Sequence, residues 1–191
     1  KYVGRPRRPQ EDKDDCGIIM RVLLFTIACS ISLSSNAVEH GDPEVLCLAE
    51  NIYHEARGQD IDGRLAVAHV SINRMESKRF PDTLCGVIKQ GYTKPSWKDG
   101  RPIPIKNKCQ FSWYCDGRVD EILEPDAWDS AWRVAYFVYS HRVEKSITDS
   151  RWDDSVEGAM WYHNTQVDPY WVASMQKVKQ EGSHIFYIAG N

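Results

Sequence analysis

The stretch from Asp42 to Gly58 constrains this chain more than any other part of it. Asp42 supplies a capping carboxylate, Pro43 suits the first helical position, and Glu44 faces the positive end of the helix dipole. The helix started there is predicted to run to about Arg57, with Gly58 as its stop. At 100° per residue, Val45, Leu48, Ala49, Ile52, Tyr53 and Ala56 form one apolar face, and Glu55 falls at its edge beside Leu48 and Ile52. A carboxyl so placed, near the negative end of the dipole, should be partly desolvated and hold its proton towards neutral pH. That is what a general acid requires, although most helical glutamates are solvated surface groups.

Residues 1–19 are polar and proline-bearing, lack apolar periodicity, and are expected to be unstructured. Met20 and Arg21 lead into an apolar run from Val22 to Leu33, followed by Ser34, Ser35, Asn36 and Ala37. A basic start, a short apolar middle and small residues at Ser35 and Ala37 follow the order of a secretory signal. Residues 20–37 are therefore read as a cleaved signal peptide, and the protein as exported to the periplasm or beyond the cell. Roughly a dozen apolar residues fall short of the ~20 that a spanning helix needs, which argues against a lasting membrane anchor. A native start at Met20 and an upstream start both fit the sequence.

Residues 38–191 fit one domain. The whole chain is 42% hydrophobic and 27% charged, a globular composition. Of its 24 basic and 27 acidic residues the first 37 positions hold six and four, which leaves 18 against 23 and a net charge of −5. A mildly acidic domain has no overall electrostatic footprint for nucleic acid or an anionic membrane. Cys16 and Cys29 leave with the leader, so Cys47, Cys85, Cys109 and Cys115 remain. An even count in an exported domain suggests two disulfides, Cys109 with Cys115 across a short loop and Cys47 with Cys85. A zinc site competes with that reading, but no C-x-x-C pair supports it.

Further along, Leu65 to Met75 is apolar on most sides and suits a central buried helix, with Asp62 as a candidate cap and Asp60 as a turn residue. Pro81 and Asp82 begin a shorter helix with Leu84, Val87 and Ile88 inside. From Gly91 to Gly117 the chain is rich in Gly, Pro, Lys and aromatics without helical periodicity, which predicts a long functional loop or small lobe. Pro125 and Asp126 open a clear amphipathic helix to about Arg142, with Trp128, Ala131, Trp132, Ala135, Val138 and Tyr139 on one face. Ala159 to His163 and His184 to Ile188 read as extended pieces around a turn-and-helix segment starting at Asp168 and Pro169. The expected architecture is α+β, mainly α-helical, with a small strand element.

Four blocks then carry a resemblance. They are YHEARGQ at Tyr53–Gln59 with the following GRLAVAHVSINRM, FPDTLCGVI at Phe80–Ile88, CQFSWYCDG at Cys109–Gly117, and GAMWYHN at Gly158–Asn164 with GSHIFY at Gly182–Tyr187. In this order, from about Val45 to Tyr187, the chain resembles the SleB-type cell wall hydrolases, the spore cortex-lytic enzymes and their relatives in Gram-negative bacteria and phages. The resemblance implies a lysozyme-like fold similar to lytic transglycosylases. It makes Glu55, in the EARG block, the catalytic acid that protonates the oxygen between N-acetylmuramic acid and N-acetylglucosamine. It also implies that one acid can suffice, because the muramic 6-hydroxyl can attack the oxocarbenium carbon and close a 1,6-anhydro ring. A muramidase working with water would need a second carboxylate, for which Asp60, Asp62 and Asp116 are the candidates.

In the same blocks, Gln110 and Ser112 can hydrogen-bond sugar hydroxyls or acetamido groups, and Phe111 or Trp113 can stack on a sugar face. The resemblance puts Tyr162, His163 and Asn164 near the glutamate in positioning roles. Core packing for Phe111 and Trp113, and a structural role for His163, are the plainer alternatives. Trp97 and Trp152 fall in loops, as glycan platforms or as loop pins. His54 beside Glu55 does not make a zinc-protease motif, because Gly58 stands where the second histidine is needed. His40, His69, His141 and His184 show no ligand spacing, and no metal or cofactor is expected. The expected partner is the peptidoglycan glycan strand, bound by a monomer, and not nucleic acid. An amidase cutting between muramic acid and the stem peptide would require a zinc site. A non-catalytic glycan-binding module is the third reading, against which Glu55 argues. An exported lone lysozyme-like domain suits a phage endolysin or a bacterial remodelling enzyme.

Overall fold

The computed structural model describes residues 41–190, so the readings for residues 1–19 and 20–37 lie outside the described residues. Within them the helices are α1 (Pro43–Ala56), α2 (Ile61–Glu76), α3 (Leu84–Ile88) and α4 (Pro125–Arg142). The strands are β1 (Gly91–Pro95), β2 (Pro102–Cys109), β3 (Trp161–Asn164), β4 (Met175–Glu181) and β5 (His184–Ala189), which makes the fold α+β and mainly helical. No helix among the described residues is long and apolar enough to cross a membrane.

Helix α1 starts as its sequence predicts. Asp42 Oδ1 accepts from Glu44 N at 2.9 Å, while Oδ2 accepts from the Tyr139 hydroxyl at 2.9 Å and ties this end to α4. The predicted apolar face is buried throughout, from Val45 to Ala56. The stop differs from expectation. Arg57 stays right-handed and Gly58 is not among the left-handed glycines; the chain turns through a Gln59 N to Ala56 O bond of 2.9 Å into Asp60. Asp60 then accepts from Gly63 N at 2.9 Å and is the cap of α2, whereas Asp62 is exposed in the first turn. In the same way Thr83, not Asp82, caps α3.

Helix α2 is apolar on most sides because it has neighbours on two sides. Leu65, Ala68 and Ile72 join Leu48, Ile52, Leu84, Val134 and Val138 in the core between the helices. Ala66 and Val70 meet Val156, Ala159 and Phe186 beneath the sheet. Each fully buried aliphatic side chain of this set contributes ~1.5–3 kcal/mol relative to exposure. His69, fully buried on α2, accepts from Ser155 N at 3.2 Å on Nδ1 and lies 3.2 Å from Trp152 O through Nε2. Burial pushes its pKa down to about 4, so a neutral ring with its proton on Nε2 clamps the 152–155 segment.

The sheet is antiparallel in the order β3-β5-β4, with Tyr162 opposite Phe186. β3 and β5 match the predicted extended pieces. β4 does not follow from its sequence, because MQKVKQE is mostly polar and its register slips between Lys177 and Lys179. The segment from Gly91 forms the antiparallel hairpin β1-β2 and a 3₁₀ turn, Ser112–Cys115. Every residue of β1 and most of β2 are exposed, so no alternation of apolar residues marked these strands.

Both expected disulfides are present. Cys47–Cys85 joins α1 to α3 beside the Glu44 carboxylate, which accepts from Leu84 N and from Cys85 N, the latter at 3.3 Å. Cys109–Cys115 closes the end of β2 onto the 3₁₀ turn. The two bridges close loops of 38 and 6 residues. Loop-closure entropy therefore predicts a loss of about 4 kcal/mol for Cys47→Ala with Cys85→Ala, and about 2 kcal/mol for Cys109→Ala with Cys115→Ala. Denaturant unfolding of the two double variants should show that order; equal losses would mean that the bridges do not act by closing these loops.

Candidate active site

Glu55 stands in the last turn of α1, where the helix leaves the core and meets β3. The Tyr162 hydroxyl donates to Glu55 Oε2 at 2.8 Å. Burial pushes the Glu55 carboxyl above the ordinary carboxylate range; the Tyr162 hydrogen bond and the Arg74 charge pull the other way without cancelling it. Burial and the neighbouring Glu55 push the Tyr162 phenol well above its ordinary value, so it stays a donor.

Arg74 is the charged neighbour, and it is 5% exposed. Its Nε donates to Met160 O at 2.7 Å, and its guanidinium lies over the rings of Phe111 and Phe80, 4.9 and 5.4 Å from their centroids. Nη1 is buried with no hydrogen-bond partner among the described residues. Glu55, Arg74, Tyr162, Gln110, Phe111 and Ser112 together line a pocket of about 130 Å³. It continues through Glu55 and Ser112 into a wider cleft of about 370 Å³ walled by Tyr53, His54, Trp113 and Asp116. Gln110 also lines a pocket of about 250 Å³ with Gln90, Tyr92 and Lys108. The Glu55 pocket thus shares lining residues with both neighbouring pockets. A larger depression of about 660 Å³ over Arg64 and Leu123–Ala127 does not include Glu55.

The cleft wall is built from α1 outward. Asn51, fully buried, accepts from Trp113 Nε1 at 2.9 Å and donates to Ser71 Oγ at 3.1 Å, which fixes the indole against the helix pair. His54 stacks on that indole with ring centroids 4.4 Å apart, and burial lowers its pKa, favouring a neutral imidazole. The Tyr53 hydroxyl accepts from Leu123 N at 3.0 Å and Glu124 N at 3.2 Å, holding the following segment over the cleft.

Of the residues singled out from sequence, Gln110, Phe111, Ser112 and Tyr162 gather around Glu55. Phe111 is only 2% exposed and belongs to the main core, so Trp113 has the more accessible ring of the two. His163 and Asn164 do not line the Glu55 pocket or cleft. His163 points to the other face of β3, as strand alternation requires, and stacks on Tyr187. Asn164 shares the face of Tyr162 but contacts Ser183 Oγ, at 3.4 Å. Asp116 lines the cleft and accepts from Arg118 N at 2.7 Å, whereas Asp60 and Asp62 lie on α2 and its cap, away from the groove lining. Trp152 stacks on Phe137 at 4.9 Å as a loop pin, and Trp97 is 95% exposed in the turn between β1 and β2. Among the described residues no group of three or more His, Cys, Asp or Glu is placed to hold a metal ion.

Three contributors were not singled out from sequence. Arg74 had a signal, a cation inside a helix apolar on most sides, which must find a buried partner. Gln59 had only its place in the first block; its amide brackets Ser183 through Nε2 to Oγ at 2.9 Å and Ser183 N to Oε1 at 3.1 Å. The approach is close enough that a Cβ on Gly182, left-handed at φ 50°, would fall 2.2 Å from Gln59 Oε1. His54 was weighed only as a metal ligand.

The family model Hydrolase_2, described as Cell Wall Hydrolase, matches residues 58–187 and so begins just after Glu55. The chain is 26% identical over 145 residues to a spore cortex-lytic enzyme of Oceanobacillus iheyensis, covering 75% of this chain and 41% of that protein. It is 24% identical over 145 residues to the spore cortex-lytic enzyme of Bacillus subtilis, covering 75% and 37%. It thus spans about two fifths of the length of these relatives. Among solved structures, the catalytic domain of the Bacillus cereus SleB protein superposes with a TM-score of 0.50 at 22% identity, covering 78% of this chain and 94% of that one. The catalytic domain of the germination-specific lytic transglycosylase SleB from Bacillus anthracis gives 0.52 at 22% identity, covering 78% and 98%. The fold is therefore shared with these catalytic domains.

A carboxyl whose pKa is raised by folding carries a stability cost that is absent below the ordinary carboxylate range and complete above its raised pKa. Glu55→Gln should accordingly stabilise the protein at neutral pH by about 0.5–2 kcal/mol, a typical gain for relieving a functional strain. The advantage should shrink as the pH is lowered through the carboxylate range in thermal melts. A variant no more stable than wild type at pH 7 would mean that burial does not raise the Glu55 pKa.

Proposed function

Because the chain belongs to the Cell Wall Hydrolase family, we propose that it degrades peptidoglycan by cleaving the bond between N-acetylmuramic acid and N-acetylglucosamine, with Glu55 as general acid. The observation that carries this reading is the desolvated Glu55 carboxyl, steadied by Tyr162 within the groove. The relatives named spore cortex-lytic enzymes support a cell-wall substrate, and the fold shared with a domain named a lytic transglycosylase is compatible with it. An exported protein, as residues 20–37 suggest, would meet this substrate outside the cytoplasm.

The chemistry follows from the two oxygens of one carboxyl. Tyr162 occupies Oε2, which leaves Oε1 to present a proton to the bridging oxygen. As that proton transfers, the bond to the muramic C1 breaks and positive charge spreads over C1 and the ring oxygen. The Glu55 carboxylate then accepts the proton of the muramic 6-hydroxyl as its oxygen closes on C1. This gives a 1,6-anhydro end and restores the acid. In this reading Gln110 and Ser112, which line the Glu55 pocket, orient sugar substituents, and Trp113, in the cleft wall, lines a sugar face.

Hydrolysis by water is the second reading, and Asp116 favours it as a carboxylate in the same cleft. Mass spectrometry of fragments released from purified peptidoglycan separates the two. Anhydro-muramic ends that disappear with Glu55→Gln are expected; reducing muramic ends lost with Asp116→Asn would replace transglycosylation with hydrolysis. Glu55→Gln should lower the rate by at least about 10²-fold, and full activity in that variant would overturn the reading.

Tyr162→Phe tests the positioning. Removing a donor to the ionised form raises the Glu55 pKa further, so the alkaline limb of the activity profile should move to higher pH. The maximal rate should fall by roughly tenfold, the scale of one hydrogen bond to a charged group. An unmoved limb would mean that Tyr162 does not govern the acid.

A further inference from the structure

The β1-β2 hairpin differs in charge from the rest of the domain. Between Gly91 and Cys109 it carries Lys94, Lys98, Arg101, Lys106 and Lys108 against a single acid, Asp99, in a domain whose net charge is −5. Asp99 is already paired with Arg101. The four lysines are exposed. Two aromatic rings stand out beside them, Tyr92 at 73% and Trp97 at 95% exposure. Nothing in the core needs this composition, since β1 buries none of its residues.

The base of the hairpin is a concave site. Gln90, Gly91, Tyr92, Lys108 and Gln110 line its pocket of about 250 Å³, and Gln110 is shared with the pocket of Glu55. The Gln90 amide oxygen is buried and has no hydrogen-bond partner among the described residues. An acceptor left unpaired beside a pocket calls for a donor from a ligand. The backbones of Gln90 and Gln110 are joined at 2.9 Å, and Cys109–Cys115 holds the end of β2, so the pocket is fixed relative to Glu55.

Resting on the glycosidase reading above, we propose that this hairpin and the pocket at its base form a subsite for the carboxylate-bearing peptide stems of the glycan strand, to one side of the cut. Lys94, Lys98 and Lys108 meet the stem carboxylates, Gln90 Oε1 accepts from an amide N–H of the ligand, and Tyr92 covers the apolar face of the sugar or peptide. Continuity with the Glu55 groove favours this ligand over a separate surface. An anionic membrane would suit the lysines and aromatics, but it has no use for an acceptor buried at the base of a pocket.

The test is cosedimentation at several salt concentrations, with Glu55→Gln as background so that the substrate stays intact. Three probes are used: intact purified sacculi, glycan strands stripped of their stems by an amidase, and vesicles containing phosphatidylglycerol. Intact sacculi should bind most tightly and lose affinity with salt. Adding Lys94→Ala, Lys98→Ala and Lys108→Ala should weaken that binding at least about fivefold and flatten its salt dependence. Stripped glycan should bind weakly and equally with and without the three lysines. Gln90→Leu, which keeps every charge, should also weaken binding to intact sacculi. Equal binding of intact and stripped strands, or no effect of the lysine substitutions, overturns the proposal, as does lysine-dependent binding that is stronger to vesicles than to sacculi. Fragment release by the Glu55→Gln background would instead count against Glu55 as the acid and leave the hairpin result standing.

Discussion

The hydrogen bond from Tyr162 to Glu55 joins the helices to the sheet across the site, and it forms only if β3 lies in one position against α1. Helix α2, between them, fixes that position with polar groups rather than with its apolar surface. Arg74 Nε holds Met160 O at 2.7 Å and Asn73 Nδ2 holds Ala159 O at 3.2 Å, just before β3 begins. At the far end of the strand, Gln59 grips Ser183, which Asn164 also touches. An apolar interface tolerates small slips, but directional bonds at both ends do not. The buried polar residues of α2 and its approach are thus the means by which a strand on one part of the chain is aligned with a helix on another.

Holding an acid this way has an energetic side. Glu55 is kept where its ionised form is disfavoured, and Arg74 lies beside it with Nη1 unpartnered, so two groups that prefer water are withheld from it. The large core between the helices, with Leu48, Ile52, Ile72, Leu84 and Val138 fully buried, supplies the opposing stabilisation, and Cys47–Cys85 adds to it from the unfolded state. Stacking the guanidinium on Phe80 and Phe111 moderates the cost of burying Arg74 without neutralising the field that it exerts on Glu55. Phe111 therefore belongs to the core and to the site at once.

The helices were legible because their signals are local. Asp42-Pro43-Glu44 and Pro125-Asp126 mark starts, and periodicity gives the buried faces. The edge position of Glu55 could likewise be placed on a helical wheel. Three kinds of feature were not legible. The caps at Asp60 and Thr83 depend on turn geometry within a residue or two, where several capping residues crowd together. The strands β1, β2 and β4 bury too little for a period of two to appear. The split of the YHN block, Tyr162 towards Glu55 and His163 away, follows from strand alternation only once the strand is known. Arg74 was visible as an anomaly, but its partner lies across the fold and no spacing rule names it.

Net charge misleads in the same way that a single averaged period does. Summed over residues 38–191 the domain is mildly acidic, and read alone that sum describes a surface indifferent to anions. Exposed charges interact over about one Debye length, ~8–10 Å at moderate salt, so a ligand responds to its own neighbourhood and not to the sum. The described residues differ in charge from one pocket to the next. Asp116, Asp120, Glu121 and Glu124 line the cleft that includes Glu55, with Arg57 and Arg118 paired to Glu124 and Asp116, whereas Lys108 lines the pocket at the base of the basic hairpin. A polymer touching both pockets would meet a net acidic lining in one and a lysine in the other, a difference that could favour one strand direction over the other. Under the glycosidase reading proposed above, direction matters, because only one of the two sugars flanking Glu55 would carry the carbon that is attacked.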